Sequence, residues 1–247
     1  MGDPMKPEVL VFDDLEALSL NAAERLGEMA REAVRQRGRF SLALSGGHTP
    51  RRLYALLAEG GAGALPWDRI HLFWGDERFV PPSDPASNFR MVKETLLERI
   101  PIAPDNLHPV PVGLGSPAEA AATYERELRA FFAREDGPAF DLVLLGLGDE
   151  GHTASLFPGS PALEESAAWV AAAEAAPGIT PRSRITLTLR GLSAARAIWF
   201  LVAGAEKAPV VRILIDGSES AAAQLPAGRV RAAGPVTWFL DRAARGH

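Results

Sequence analysis

The chain contains no cysteine, which excludes disulfides, thiol nucleophiles and thiolate metal sites together and is compatible with a reducing cytoplasm. It also lacks any uninterrupted apolar run of roughly 18 residues or more, the length a membrane-crossing helix needs. Its start, Met1-Gly2-Asp3-Pro4, has neither the basic segment nor the apolar stretch of a secretory leader. Positive charge is in short supply: 26 Lys and Arg face 31 Asp and Glu, for a formal net charge of -5 and an isoelectric point near 5.6. That balance offers no electrostatic footprint for nucleic acid or an anionic membrane, so neither is expected as a partner. No protein partner is evident from the sequence either. An anionic ligand would have to be held by a few placed cations, and lysine stands only at positions 6, 93 and 207. The expectation is a soluble, cytoplasmic protein.

What is present is ordinary for a globular chain, with 47% hydrophobic and 23% charged residues. One domain covering residues 1–247 is the expectation, since that length can bury a substantial core. Ala22, Leu26, Met29, Ala30, Ala33 and Val34 recur at helical spacing, with Gly38 as a stop. Phe40 to Leu44 reads as a buried strand. Thr49 can cap a following helix with Pro50 at its first position and Leu53, Leu56 and Leu57 as its buried stripe. The alternation continues with a strand from Ile70 to Trp74, a long turn rich in Pro and Asp, and a helix near Ser87 bearing Phe89, Val92 and Leu96. Ser116-Pro117-Ala118-Glu119 fits a capping box. Further strands are expected at Phe140 to Leu145, Ile185 to Leu189, Ile198 to Val202 and Val236 to Leu240, with a helix from about Glu206 to Ile215. This order predicts an α/β fold with a mostly parallel central sheet flanked by helices on both faces. Ala167 to Ala176 reads as compositional bias, and Gly60-Gly61-Ala62-Gly63 as a surface turn.

Four segments carry chemistry. In Ser45-Gly46-Gly47-His48-Thr49-Pro50, glycines let the backbone approach an anion while the next helix presents free N–H groups and the positive end of its dipole. Ser45 and Thr49 can add hydroxyl donors. The Walker pattern is absent, so a nucleoside triphosphate is not indicated. Trp74-Gly75-Asp76-Glu77-Arg78-Phe79-Val80-Pro81 places charge at the carboxyl end of a strand, where open α/β sheets seat ligands. An isolated triplet of this kind is usually a solvated ion pair, and its position on the sheet is what gives Asp76, Glu77 and Arg78 interest.

The third segment, Gly146-Leu147-Gly148-Asp149-Glu150-Gly151-His152, matches a dinucleotide fingerprint by spacing. Pro158 follows too soon for the long helix that fingerprint opens, and no acidic residue stands at a second strand end in the right place. What remains is His152 beside Asp149 and Glu150; a carboxylate can fix an imidazole's tautomer and stabilise its protonated form, which suits a general base. Ser155 is not in a nucleophile elbow, and no zinc-type spacing occurs, so neither a serine triad nor a catalytic metal is implied. The fourth element is Arg184 at the mouth of a strand together with Lys207 near a helix start, either of which could reach a bound dianion.

Taken in order, these segments resemble the glucosamine-6-phosphate isomerase/6-phosphogluconolactonase family, and its lactonases in particular. The resemblance rests on Ser45-Gly46-Gly47-x-Thr49-Pro50, on Trp74-Gly75-Asp76-Glu77-Arg78-x-Val80-Pro81 with Ser87-Asn88, on Gly151-His152-Thr153-Ala154-Ser155-Leu156-Phe157-Pro158, and on Arg184-Ile185-Thr186-Leu187-Thr188 with Gly204-x-x-Lys207. It runs to the ending Val236-Thr237-Trp238-Phe239-Leu240-Asp241. It implies the fold group of glucosamine-6-phosphate deaminase and ribose-5-phosphate isomerase, and hydrolysis of a small sugar-phosphate lactone, 6-phospho-D-glucono-1,5-lactone, with no metal and no organic cofactor. Carried onto this chain, Ser45, Gly46, Gly47, Thr49, Arg184 and Lys207 hold the phosphate, with Asp76 and Asn88 in the substrate site. His152 is the general base, and Arg78 steadies either the developing oxyanion or the phosphate. Where the family usually has Asp-Gly-His this chain has Glu150-Gly151-His152, so either Glu150 or Asp149 orients the imidazole. Two other readings stay open at this level: an isomerase or deaminase of the same fold group, and a sugar-phosphate sensor without catalysis.

Overall fold

Phe40, Ser41, Leu42, Ala43 and Leu44 are all buried, and a strand hidden on both faces is what such a run makes in a parallel sheet. The computed structural model describes residues 7–133 and 137–246; the leader reading at Met1 to Pro4 and Lys6 lie outside the described residues. In chain order its elements are β1 (Glu8–Phe12), α1 (Leu15–Arg37), β2 (Phe40–Leu44), α2 (Thr49–Ala58), β3 (Ile70–Trp74), β4 (Asp76–Arg78), α3 (Asn88–Thr95), β5 (Leu107–His108), α4 (Pro117–Phe131), β6 (Leu142–Leu145), β7 (Val170–Glu174), β8 (Ser183–Leu187), α5 (Leu189–Leu192), β9 (Ile198–Val202), α6 (Ala208–Asp216), α7 (Glu219–Ala222), β10 (Val236–Asp241) and α8 (Arg242–Arg245). Among these, no helix is long and apolar enough to cross a membrane.

The helix ends follow their local chemistry. Asp14 opens α1 by accepting from Ala17 N at 2.8 Å, and Gly38 closes it at φ 75°, a left-handed conformation that costs glycine least. Ser87 and Ser116 cap α3 and α4 in the same way, accepting from Arg90 N and Glu119 N. Thr49 does not cap α2 as its sequence context predicts. It is the first helical residue, and His48 precedes it without a side-chain bond to the helix.

Seven strands pair in parallel in the order β1-β10-β9-β6-β2-β3-β5. From β2 the chain winds outward through β3 and β5, and it then returns to the opposite edge of β2 with β6 before moving away through β9 and β10. The winding therefore reverses between β2 and β6, and the crevice outside the carboxyl ends of two such strands is where open α/β sheets bind ligands.

A second sheet of three antiparallel strands, ordered β4-β8-β7, was not expected. Its β4 is the charged triplet read as part of a long turn, and its β7 falls inside the stretch read as compositional bias. Gly75 links the two sheets: its N–H donates to Leu44 O at 2.8 Å and its carbonyl accepts from Leu187 N at 2.8 Å. The turn at Gly60 to Gly63 is also less superficial than its glycines imply, because Ala62 is buried and its carbonyl accepts from Arg31 Nη1 at 2.9 Å.

The chain has only two tyrosines, and both do the same work. Each is fully buried and lends its hydroxyl to the backbone at a strand end. Tyr54 accepts from Ser45 N at 3.0 Å and donates to Ser45 O at 2.8 Å. Tyr124 accepts from Trp74 N at 2.9 Å and donates to Trp74 O at 3.0 Å. Burial pushes both phenols upward from their ordinary pKa, so each remains a neutral donor and acceptor. The carboxyl ends of β2 and β3, from which the loops at the crevice spring, are thereby held in place.

Candidate active site

The loop after β2 forms the first wall. Ser45 is fixed through its backbone by Tyr54, while its Oγ is buried and has no hydrogen-bond partner within the protein. Gly46 is pressed against Asn88, and a Cβ there would stand 1.9 Å from Asn88 Oδ1. Gly47 has φ 99°, which only glycine adopts without strain. The N-terminus of α2 follows at once, so Ser45 to Pro50 all face the crevice with helix N–H groups behind them.

The second wall comes from β4 and the start of α3. Asp76 is buried and accepts from Ser155 Oγ at 2.6 Å on one oxygen and from Asn88 Nδ2 at 3.3 Å on the other, while Asn88 Nδ2 also donates to Asp76 O at 2.9 Å. Glu77 points the other way and accepts from the backbone N–H of Arg78, Asn88 and Phe89, each at 2.7 Å, and from Ser87 Oγ at 3.2 Å. Burial raises its pKa against the pull of those three N–H groups. Glu77 is thus the anion that seats α3, not a group available to a ligand. Arg78 lines the crevice and is anchored by its Nη1 donating to Ala86 O at 2.6 Å.

The third wall is the turn after β6. Gly148 N donates to His152 O at 2.9 Å, Gly151 N to Gly148 O at 3.0 Å, and Thr153 Oγ1 to Gly146 O at 2.8 Å, so the three glycines build a tight turn and no helix. The His152 ring lies across Gly148, where a Cβ would come within 2.0 Å of Nδ1. Phe157 also packs against the ring, with ring centroids 4.7 Å apart. Glu150 Oε1 is 3.0 Å from His152 Nδ1. That contact is one of charge and proximity only, since Nδ1 is buried and makes no aligned hydrogen bond. Ala154, two residues on, has φ 48°, a conformation uncommon for a side chain with a Cβ and concentrated at functional sites.

The fourth contribution is Lys207, at the end of the short turn Ala205–Lys207 between β9 and α6. Its Nζ donates to Asp149 Oδ1 at 2.5 Å. The two neighbouring carboxylates therefore divide their duties: Glu150 sits at His152, and Asp149 holds Lys207.

Together these walls enclose a cleft of about 360 Å³, a volume in the range of small-molecule sites. Of the residues singled out in the sequence, Ser45, Gly46, Gly47, Thr49, Asp76, Arg78, Asn88, His152 and Lys207 line it. Asp149, Glu150 and Arg184 do not. Arg184 stands behind the cleft wall, in β8 opposite Arg78 of β4, 6% exposed, with Nη1 lacking a hydrogen-bond partner. Desolvation first, and then the nearby Arg78, lower its pKa from the usual guanidinium value. The residues the sequence did not flag are Tyr54, Ser155 and Glu206; Glu206 lines the cleft, and the other two act behind it. Among the described residues, no group of three or more His, Asp or Glu side chains is placed to hold a metal ion.

A Gly-rich loop at a helix N-terminus and an imidazole lining one switch-point cleft are the arrangement of a small-molecule α/β enzyme. The chain belongs to the glucosamine-6-phosphate isomerase/6-phosphogluconolactonase family, whose model matches residues 13–238. A 6-phosphogluconolactonase from Synechocystis is 40% identical over 97% of this chain and 98% of its own. The solved 6-phosphogluconolactonase from Trypanosoma cruzi superposes with a TM-score of 0.84 at 30% identity, covering 99% of this chain and 98% of that one. A monomeric glucosamine-6-phosphate deaminase, 22% identical, shares the fold with a TM-score of 0.81 over 97% of this chain and 99% of its own.

Proposed function

We propose that the chain hydrolyses 6-phospho-D-glucono-1,5-lactone to 6-phospho-D-gluconate, in the cytoplasm and in the oxidative pentose phosphate pathway. The observation that carries the chemistry is the placing of His152. Its Nδ1 is buried beside Glu150, so Nε2 is the nitrogen offered to a cleft whose opposite wall is the helix-terminal loop at Ser45 to Pro50.

With the phosphate held by the loop N–H groups, Ser45 Oγ, the Thr49 hydroxyl and Lys207, the lactone ring extends toward His152. The imidazole takes a proton from water as that water adds to C1. The C1–ring oxygen bond then breaks, and the imidazolium returns its proton to the departing ring oxygen. Glu150 steadies the imidazolium between these two steps, and general acid–base help of this kind is worth about 10²–10⁴-fold. Arg78 opposes the negative charge that develops on the carbonyl oxygen.

An isomerase or deaminase would need a second free carboxylate as base. Two acids line the cleft: Asp76, with both oxygens taken by Ser155 and Asn88, and Glu206, exposed in the turn that ends in Lys207. The engaged state of Asp76 supports the lactonase, with His152 as the base. The test offers the enzyme freshly prepared phosphogluconolactone and, separately, glucosamine-6-phosphate and ribose-5-phosphate. Turnover of the lactone alone is expected, lost by about 10²-fold or more in His152→Ala with phosphogluconate binding retained. Turnover of only the other two substrates would overturn the reading.

A further inference from the structure

Lys207 is a cleft residue whose ammonium is directed at a carboxylate outside the cleft. Its Nζ lies 2.5 Å from Asp149 Oδ1, and its side chain is 20% exposed where that of Asp149 is 72% exposed. Lys207 lines the crevice; Asp149 does not. No other anion in the described structure pairs with this ammonium, although the sequence offers two acids in a row on the same turn. The second of them, Glu150, is occupied with His152.

An ion pair this open to water is weak, because solvent screens it and two flexible side chains must be ordered to form it. A phosphate dianion in the loop at Ser45 to Pro50 would have the α2 N-terminus behind it and would draw the ammonium from Asp149. The exchange runs backwards as the phosphorylated product leaves, when Asp149 takes the ammonium up again.

We propose that Asp149 is a latch on Lys207: a positioning residue that competes with the bound phosphate for the ammonium, holds the lysine at the cleft rim between turnovers and hastens release of the phosphorylated product. This rests on the reading of the cleft as a phosphate site, and it asks nothing of the reaction at C1. Asp149 touches neither phosphate nor the reacting carbon. Its effect passes through Lys207.

The experiment titrates inorganic phosphate by calorimetry into the full-length protein, its Asp149→Asn and Lys207→Met variants, and the double variant. Removing the competing charge in Asp149→Asn is expected to tighten phosphate binding about threefold to tenfold, the effect of one unit charge a few ångströms away in water-like surroundings. In steady-state lactone hydrolysis the same variant is expected to show a lower KM and tighter product inhibition, with no rise in kcat. In the Lys207→Met background, Asp149→Asn is expected to change phosphate affinity by less than about twofold, because the coupled pair is already broken. Unchanged or weaker phosphate binding in Asp149→Asn would overturn the latch. So would an equal gain with and without Lys207, which would mean simple repulsion between Asp149 and the phosphate. If the phosphate results hold while lactone is not turned over, the latch stands and the assigned substrate falls.

Discussion

The side-chain oxygen of Asn88 fills the space beside Gly46 so closely that a Cβ on the glycine would stand 1.9 Å from it. Asn88 cannot easily retreat, because its amide nitrogen is tied to Asp76 by the backbone carbonyl at 2.9 Å and the carboxylate at 3.3 Å. Gly46→Ala is therefore expected to displace the loop proposed to hold the phosphate. A misplacement of about 1 Å can cost on the order of 10²-fold, so kcat/KM is expected to fall tenfold to a hundredfold, mostly through KM. Steady-state kinetics alongside a melting curve would check this. A loss below about twofold would mean the loop tolerates the shift.

Gly148 stands in the same relation to the side chain of His152. A Cβ there would meet the His152 ring at 2.0 Å from Nδ1 and 2.1 Å from Cε1, and Phe157, with its ring centroid 4.7 Å away, limits the room for the ring to turn. Gly148→Ala is expected to move the imidazole and lower kcat about as far as its own deletion, on the order of 10²-fold, while phosphogluconate still binds. A variant that lost binding and kept kcat would place His152 away from the reacting carbon.

Much of this was legible in the sequence for a simple reason. β2, β3 and β9 are buried parallel strands, so they read as short apolar runs, and their observed bounds are those expected from the sequence. β4 was not legible. Asp76-Glu77-Arg78 looks like a solvated charge cluster because what satisfies its acids comes from afar: Ser155 for Asp76, and the N–H groups opening α3 for Glu77. Tyr54 stayed hidden likewise, since nothing local shows that a tyrosine nine residues on will hold both polar backbone groups of Ser45. The choice between Asp149 and Glu150 at His152 could not be made until Lys207, 58 positions from Asp149, had been brought to its turn.

Arg184 separates stability from function. It is a buried cation whose Nη1 has no hydrogen-bond partner, and desolvation and then Arg78 depress its pKa against the pull of Asp76 and Glu77. An unpaired buried charge is destabilising unless a ligand supplies the counter-charge. Arg184→Met, which keeps most of the volume, is expected to leave the melting temperature unchanged or higher without ligand. The rise in melting temperature on adding phosphogluconate should shrink, because the ligand then has less positive field to meet. A fall of several degrees in the unliganded variant would show that Arg184 is satisfied within the protein after all.

A pH dependence of stability is built in far from the cleft. His71 Nδ1 lies 3.1 Å from His108 Nε2, and His108 Nδ1 lies 2.7 Å from Glu127 Oε1. Phe131 packs edge-on against both imidazoles, with Arg39 over its ring. Burial first, then His108 and Arg39, pull the pKa of His71 down to about 4 from 6.5. Between those values the unfolded chain carries a proton on this residue that the folded chain does not, so stability falls as pH drops from 6.5 towards 4. Because the ring is only half buried, solvent screening makes the loss smaller than the full shift would imply. His71→Gln removes the titrating group, and its urea midpoint should depend less on pH in that window than the parent's, while the two proteins keep similar slopes above pH 7. Parallel curves across the window would show that His71 takes up its proton as readily folded as unfolded.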